Sequence, residues 1–440
     1  MRHDWSTSAK ISRDLRQRLD SPSVPAGLPV IVRYRPEARP KSAKALGLEI
    51  SHAYQVLPAV AARLSLEQLG SLVDDDDVER IWLDFRVHVA LDKAAPAIGA
   101  HRAWESGITG RSVTVAVLDT GIDSEHPDFG DRVLAARNCM SQSAAAGSVQ
   151  SGIQSWTDRN GHGTHVAGII AGDGKASGGR YRGVAPEASL LVAKVLDDDG
   201  VGQASDVIAG LEWAFAKGAQ VVCLSLGGDE SGDGTDALSL ACDEFVERGL
   251  VICVAAGNGG PRPYTVGPPG CARQVITVGA ADLSSGQLAS VPIATFSSRG
   301  PTSDQRQKPD IAFPGVGIAS CRALEGHMGD PVEGAAEYYV RASGTSMATP
   351  FAAGMAALLL QVDSEATPAV VKRVMCESAR SLGLDANAQG SGLADIGHAL
   401  EQLGSAPAGE LQQRRGCLPG AAALSHRTTP AMAARTADKP

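Results

Sequence analysis

Apolar and polar positions change rhythm several times along this chain. Residues 1–27 are polar and charged and end in Ser21-Pro22-Ser23-Val24-Pro25, the composition of a linker. Over 28–92 the segments are short. Residues 29–34 and 52–57 read as strands, 64–73 has helical spacing with Ser65 placed as its cap, and 78–87 alternates like a half-buried strand. Asp74 to Asp77 read as a solvated turn between the last two. The pattern predicts a small α+β unit of about sixty residues, marginal on its own by size.

From Val113 the grammar is different. Continuous apolar runs at 113–118, 188–196, 219–225, 250–256 and 274–279 read as buried strands, and helical patterns cover 163–171, 205–217 and 236–248 between them. Apolar strands separated by helices predict a mostly parallel β-sheet flanked by helices on both faces, over 93–404. A last helix is expected over 351–360, Ala- and Leu-rich and apolar all round, hence buried. The pattern stops near 405, and 405–440 is expected to be a disordered or loosely attached tail.

Composition narrows the function. The chain has 440 residues, 43% of them hydrophobic, enough for a large core and more than one folded unit. A formal charge of -9 without a basic stripe argues against nucleic acid as a partner. No apolar run reads as a membrane span, and no secretory signal is recognisable in the first thirty or so residues, which leaves the compartment open. Eight cysteines are too dilute for a disulfide scaffold. Cys223 and Cys253 sit in apolar runs and are expected as buried thiols, while pairing of Cys139, Cys271, Cys321, Cys376 and Cys417 is not readable.

Four polar residues stand where a parallel sheet places ligands, at strand ends and helix starts. Asp119 follows the first buried strand in Val117-Leu118-Asp119-Thr120-Gly121. His162 opens a helix in Gly161-His162-Gly163-Thr164-His165. Asn258 follows another strand in Ala255-Ala256-Gly257-Asn258. Ser346 lies in Gly344-Thr345-Ser346-Met347-Ala348, ahead of the apolar helix. Each has a plain alternative: Asp119 and Asn258 as turn residues, His162 as a helix-start residue, and Ser346 or Thr345 as a cap. His165 reads as a packed neighbour. Taken together the four supply a nucleophile (Ser346), a general base (His162), an orienting carboxylate (Asp119) and an oxyanion donor (Asn258, with the Ser346 N–H). A phosphate-binding loop at Gly172 to Gly179 is excluded by spacing, because Lys175 lacks the required glycine frame and is not followed directly by Ser or Thr.

At these stretches, and at Ser225-Leu226-Gly227-Gly228, the chain resembles the subtilisin-like serine proteases, over about 105–400. The resemblance implies a serine endopeptidase acting on extended polypeptides through an acyl-enzyme. Gly200, Gly202, Ser225, Leu226, Gly227 and Gly228 would then flank the substrate, the glycines leaving room for its backbone. Ala204 implies a roomy pocket, and a large apolar residue is the expected preference at the first one. Residues 28–92 resemble the ferredoxin-like inhibitory propeptide of the family, which implies a self-processing zymogen cut between about 86 and 95. No cofactor is required for the chemistry. Structural calcium is common in the family and Asp128 matches one ligand, but the 173–181 loop is poor in oxygen ligands, so no metal site is assigned. A monomer without membrane or nucleic-acid partners is expected, and relatives with a propeptide are mostly secreted. Phe351-Ala352-Ala353-Gly354 departs from the usual His-Val-Ala-Gly, which implies altered packing under the serine.

Overall fold

The computed structural model describes residues 8–19, 27–35, 47–53, 59–83, 91–140, 155–228, 231–287 and 290–405. The expected linker at 21–25, the ends of the expected strands at 54–57 and 84–87, the first part (86–90) of the expected cut region, Cys417 and the 406–440 tail lie outside them. The chain forms two compact units, Met1–His88 and Val89–Pro440.

In the first unit, strands β1 (Leu28–Tyr34), β2 (Glu49–Ala53), β3 (Ala59–Leu64) and β4 (Val78–Leu83) form one sheet in the order β2-β3-β1-β4. Every pairing is antiparallel, and β1 and β3 are central. This is the strand order of a split βαβ, ferredoxin-like sheet. The helix Leu66–Val73 begins with a capping box: Ser65 accepts from the Gln68 N–H while the Gln68 side chain accepts from the Ser65 N–H. Two features depart from the reading of the sequence. Strand β3 occupies 59–64, where Ala-Val-Ala-Ala-Arg-Leu gives no alternation to follow. Within the polar first segment, Ile11 bridges to Ile81, and Ile11 and Leu15 are fully buried in the same core as Val30, Val32 and Leu69.

The second unit is built on a seven-stranded sheet. Strands β5 (Thr114–Asp119), β6 (Val133–Asn138), β7 (Ser189–Lys194), β8 (Val221–Leu224), β9 (Val251–Ala255), β10 (Ile276–Ala281) and β11 (Ile311–Pro314) lie in the order β11-β10-β9-β8-β5-β7-β6. All six pairings are parallel. A smaller antiparallel sheet, order β12-β14-β13, comprises β12 (Ile318–Cys321), β13 (Asp330–Pro331) and β14 (Tyr339–Ala342).

Strand β5 shows why the runs are continuously apolar. Val115 and Val117 face one core, shared with the helices His162–Ala171 and Thr345–Val362. Ala116 and Leu118 face the other, shared with the helices Ala204–Ala216 and Ala237–Glu247. A strand covered on both faces has no solvent side on which to place polar residues.

The helix Thr345–Val362 starts six residues earlier than the sequence suggests and runs through Pro350. A proline there removes the N–H that would bond the carbonyl four residues back, on Ser346. The freed Ser346 carbonyl instead accepts the Ser225 hydroxyl at 2.9 Å. By length and composition this helix is apolar enough to cross a bilayer, contrary to the reading that no run is, but it is almost wholly buried in the core.

Candidate active site

Strand β5 leaves its buried run at Asp119, whose side chain is completely inaccessible. Its Oδ1 accepts the Thr120 N–H at 2.8 Å and His162 Nδ1 at 2.7 Å; Oδ2 is buried without a partner among the described residues. The carboxylate therefore fixes the tautomer, with the proton on Nδ1 and the lone pair on Nε2. Burial disfavours the charged imidazole. The charge and hydrogen bond of Asp119, with a further contribution from Asp158, outweigh it, and the His162 pKa is raised.

Asp158 was not singled out from the sequence, and it organises this corner. It is buried, and its Oδ1 accepts the Gly161 N–H at 2.7 Å and the Thr120 hydroxyl at 2.9 Å. Its Oδ2 accepts the Thr164 N–H at 2.8 Å and the Thr164 hydroxyl at 2.7 Å. One carboxylate thus answers the unpaired N–H groups at the start of the His162 helix and ties them to the turn after Asp119. Its position carries no capping signal, because the N-cap is Gly161 and Asp158 lies three residues ahead of it.

Ser346 lies in the first turn of its helix, where its own N–H has no intrahelical acceptor. Its hydroxyl donates to the Ser225 carbonyl at 3.0 Å, and no hydrogen bond joins it to His162 among the described residues. Asn258 is oriented by Thr345, which the sequence offered only as a helix cap. Both the Thr345 N–H, at 3.0 Å, and its hydroxyl, at 3.1 Å, meet Asn258 Oδ1. An N–H can only donate, so the amide oxygen is fixed toward Thr345, which leaves the NH₂ free to donate elsewhere. His165 is fully buried, with Nε2 near the carbonyls of Ile318 at 3.1 Å and Val340 at 3.2 Å. Burial, with the nearby His162, brings its pKa down to about 3, so it is neutral and packed.

These groups open into one cleft of about 980 Å³. His162, Asn258, Ser346, Gly200, Gly202, Ser225, Leu226, Gly227 and Gly228 all line it, with Asp119 behind His162. The glycines are not equivalent. Gly200 has φ +81°, and a Cβ on Gly202 would fall 2.2 Å from the Val195 carbonyl oxygen. At Gly227 and Gly228 the nearest protein atoms would be 3.4 and 3.8 Å away, so no protein neighbour excludes a side chain there.

The carboxylate with a family precedent for calcium is satisfied by protein. Asp128 Oδ1 accepts the Ala176 N–H at 2.8 Å, and Oδ2 accepts the Tyr339 hydroxyl at 2.7 Å with the Cys321 thiol 3.7 Å away. His126 completes a buried cluster with Asp128 and Cys321. Its Nδ1 accepts the Asp128 N–H and its Nε2 donates to the Tyr338 carbonyl, so neither nitrogen is free for a metal. Calcium takes six to eight oxygens, and this set does not fit it. The seven described cysteines, Cys242 included, are all free thiols, and Cys223 and Cys253 are fully buried.

A carboxylate-bound imidazole sharing a cleft with a helix-start serine, at the carboxyl ends of a parallel sheet, is the outline of a serine hydrolase. The comparisons with known proteins agree. The model of the subtilase family matches residues 110–393. The chain is 38% identical over 332 residues to serine protease AprX of Bacillus subtilis (strain 168), covering 72% of each chain. It is 36% identical over 342 residues to subtilisin E of the same organism, covering 77% of this chain and 79% of the relative. It is 38% identical over 288 residues to subtilisin of Bacillus pumilus, covering 65% of this chain and 90% of the relative. The chain belongs to the subtilase family and is a subtilisin-like serine endopeptidase.

Proposed function

We propose that Ser346, His162 and Asp119 are the catalytic triad of this endopeptidase, with Asn258 and the Ser346 N–H as the oxyanion donors. The observation that carries this reading is the 2.7 Å contact from His162 Nδ1 to Asp119, behind a cleft that Ser346 and Asn258 also line. The Ser346 hydroxyl leaves the Ser225 carbonyl, turns to His162 Nε2 and attacks the scissile carbonyl while Nε2 takes its proton. The tetrahedral oxyanion is held by Asn258 Nδ2 and the Ser346 N–H. Collapse breaks the C–N bond, the imidazolium proton goes to the leaving amine, and an acyl-enzyme remains. Water attacks the ester by the same proton path in reverse, and Ser346 is restored.

The substrate is an extended polypeptide lying along Gly200 to Gly202 on one side and Ser225 to Gly228 on the other. Residues 28–92 act as an intramolecular inhibitor, removed by self-processing, and the mature enzyme works as a monomer. Asp128 holds no calcium in this reading.

Intact mass of the purified protein beside Ser346→Ala, incubated alike, tests it. The wild type is expected to lose about ninety residues from its N-terminus, the variant none. Equal cutting of both proteins would assign the cut to another protease. Two uncut proteins would remove the self-processing claim and leave a peptide-hydrolysis assay to judge the triad.

A further inference from the structure

One buried cation beside the proposed catalytic pair has no part in the chemistry above. Lys194 ends β7, opposite Asp119 in the parallel pairing of β5 and β7. Its side chain is almost wholly buried, and an ammonium withdrawn from water needs acceptors. It has two, and they belong to different parts of the site. One is the Thr120 carbonyl, in the turn that follows Asp119. The other is Asp198 Oδ1, at 2.9 Å, in the segment 197–202. That segment folds on itself: Asp197 Oδ1 accepts the Asp199 N–H at 3.0 Å and the Val201 N–H at 2.9 Å. Its Gly200 and Gly202 line the cleft. Asp198 also reaches the start of the His162 helix. Its carbonyl accepts Asn160 Nδ2 at 3.0 Å, and Asn160 Oδ1 in turn accepts the His162 N–H at 3.2 Å. Its Oδ2 lies 3.5 Å from Arg159.

We infer that Lys194 and Asp198 are a positioning pair, which fixes the segment 197–202 against the Asp119 turn and the start of the His162 helix. Neither lines the cleft. Their effect is on where an extended substrate lies, because the edge it binds along is held to the sheet by one anchored ammonium. This rests on the cleft reading above and deepens it: substrate residues along Gly200 to Gly202 are registered to Asp119 and His162 through this pair. With the pair broken, the segment samples other arrangements and only the fraction in place binds. The apparent Kd then rises as the inverse of that fraction. Lys194 has a second task that Asp198 lacks, the Thr120 carbonyl beside Asp119, so removing one residue differs from removing the other.

The test compares the processed wild-type enzyme with Asp198→Asn, Lys194→Met and the double variant on two substrates. One is a peptide amide with several residues ahead of the scissile bond; the other is a single-residue ester too short to reach the segment. Asp198→Asn is expected to lower kcat/KM on the long peptide about tenfold, mostly through KM, the scale of one charge-assisted hydrogen bond. Its rate on the ester should change by about twofold at most. Lys194→Met should slow both substrates, because the Thr120 carbonyl loses its donor. The double variant should be no slower on the long peptide than Lys194→Met alone. Equal losses of Asp198→Asn on the two substrates, no loss on either, or independent effects in the double variant overturn the pair. Asp198 is half-exposed, so its variant keeps the test open should Lys194→Met fail to fold. Amide hydrogen exchange at Asp199 and Val201 reads the positioning without chemistry and should quicken about tenfold in Asp198→Asn. Unchanged exchange overturns the assignment. A wild type that hydrolyses neither substrate would instead sink the triad reading, while exchange still judges Lys194 and Asp198.

Discussion

Two carboxylates of the peptidase unit, the fully buried Asp119 and the part-buried Asp310, are bonded in opposite ways. Asp310 is saturated. Its Oδ2 takes Lys308 Nζ and the Thr277 N–H, each at 2.7 Å, and its Oδ1 pairs with Lys372 Nζ at 3.0 Å. Lys308 is answered in turn by the Thr277 hydroxyl at 2.7 Å, and Lys372 by the Val275 carbonyl at 2.7 Å. Asp119 has one oxygen engaged and one left without a partner among the described residues. Asp310 spends its charge on holding β10, β11 and the helix Pro368–Glu377 together. Asp119 keeps part of its charge unanswered, so that in the proposed mechanism an imidazolium forming on His162 meets a carboxylate still able to stabilise it. A charge kept for function is under-bonded at rest, and a charge kept for structure is not.

That contrast can be broken in order of effect. Asp119→Asn removes the acceptor that fixes the Nδ1–H tautomer, and kcat should fall by about 10⁴-fold with little change in the unfolding midpoint. Peptide hydrolysis beside urea unfolding checks both halves, and a large loss of stability would put Asp119 among the structural charges.

Asp310→Asn should do the reverse. It leaves two ammonium groups without their anion, which costs about 3–5 kcal/mol. Urea unfolding in a Ser346→Ala background, free of autolysis, measures it, and kcat per folded molecule should not change in the active background. The pH dependence has a definite sign. Burial raises the Asp310 pKa, but Lys308 and Lys372 outweigh it and hold it lowered. Its stabilisation is therefore full above the ordinary carboxylate pKa of about 3.9 and is lost as pH falls through the lowered value. The gap between the variant and its parent should close in that acid window.

Asp158→Asn is the smallest and sharpens the boundary between the two kinds. Asp158 is saturated like Asp310 yet sits beside the proposed catalytic pair. The variant should lose about 1–3 kcal/mol of stability through a buried N–H left without its acceptor. Because Asp158 helps to raise the His162 pKa, the acid limb of kcat/KM should move to lower pH. A profile that stays in place would make Asp158 purely structural.

Much of this was legible because the informative signals are local. Buried strands, glycine-flanked motifs and Ser65 as a cap are read within a few residues. What escaped is set by partners distant in the chain. Asp158 acts through Thr120, and Asn258 is aimed by Thr345. Pro350 ends the helical signal on paper, but a hydroxyl from Ser225 satisfies the carbonyl it strands, and the helix begins ahead of it. Ile11 and Leu15 look isolated in a polar segment until Ile81 is placed beside them. Edge strands β6 and β11 and the small β12-β14-β13 sheet are short or irregularly patterned, so periodicity carried no notice of them.

The proposed triad gathers an acid, a base and a nucleophile that lie far apart in the chain, with Ser346 following Asp119 by about half its length. During synthesis, everything before Ser346 can emerge from the ribosome with the acid and the base in place and nothing to attack with. The helix that delivers the serine is also the one on which one core closes. Folding of that core and arrival of hydrolytic power are thus a single late event, and a chain interrupted before it is inert toward its neighbours in the cell.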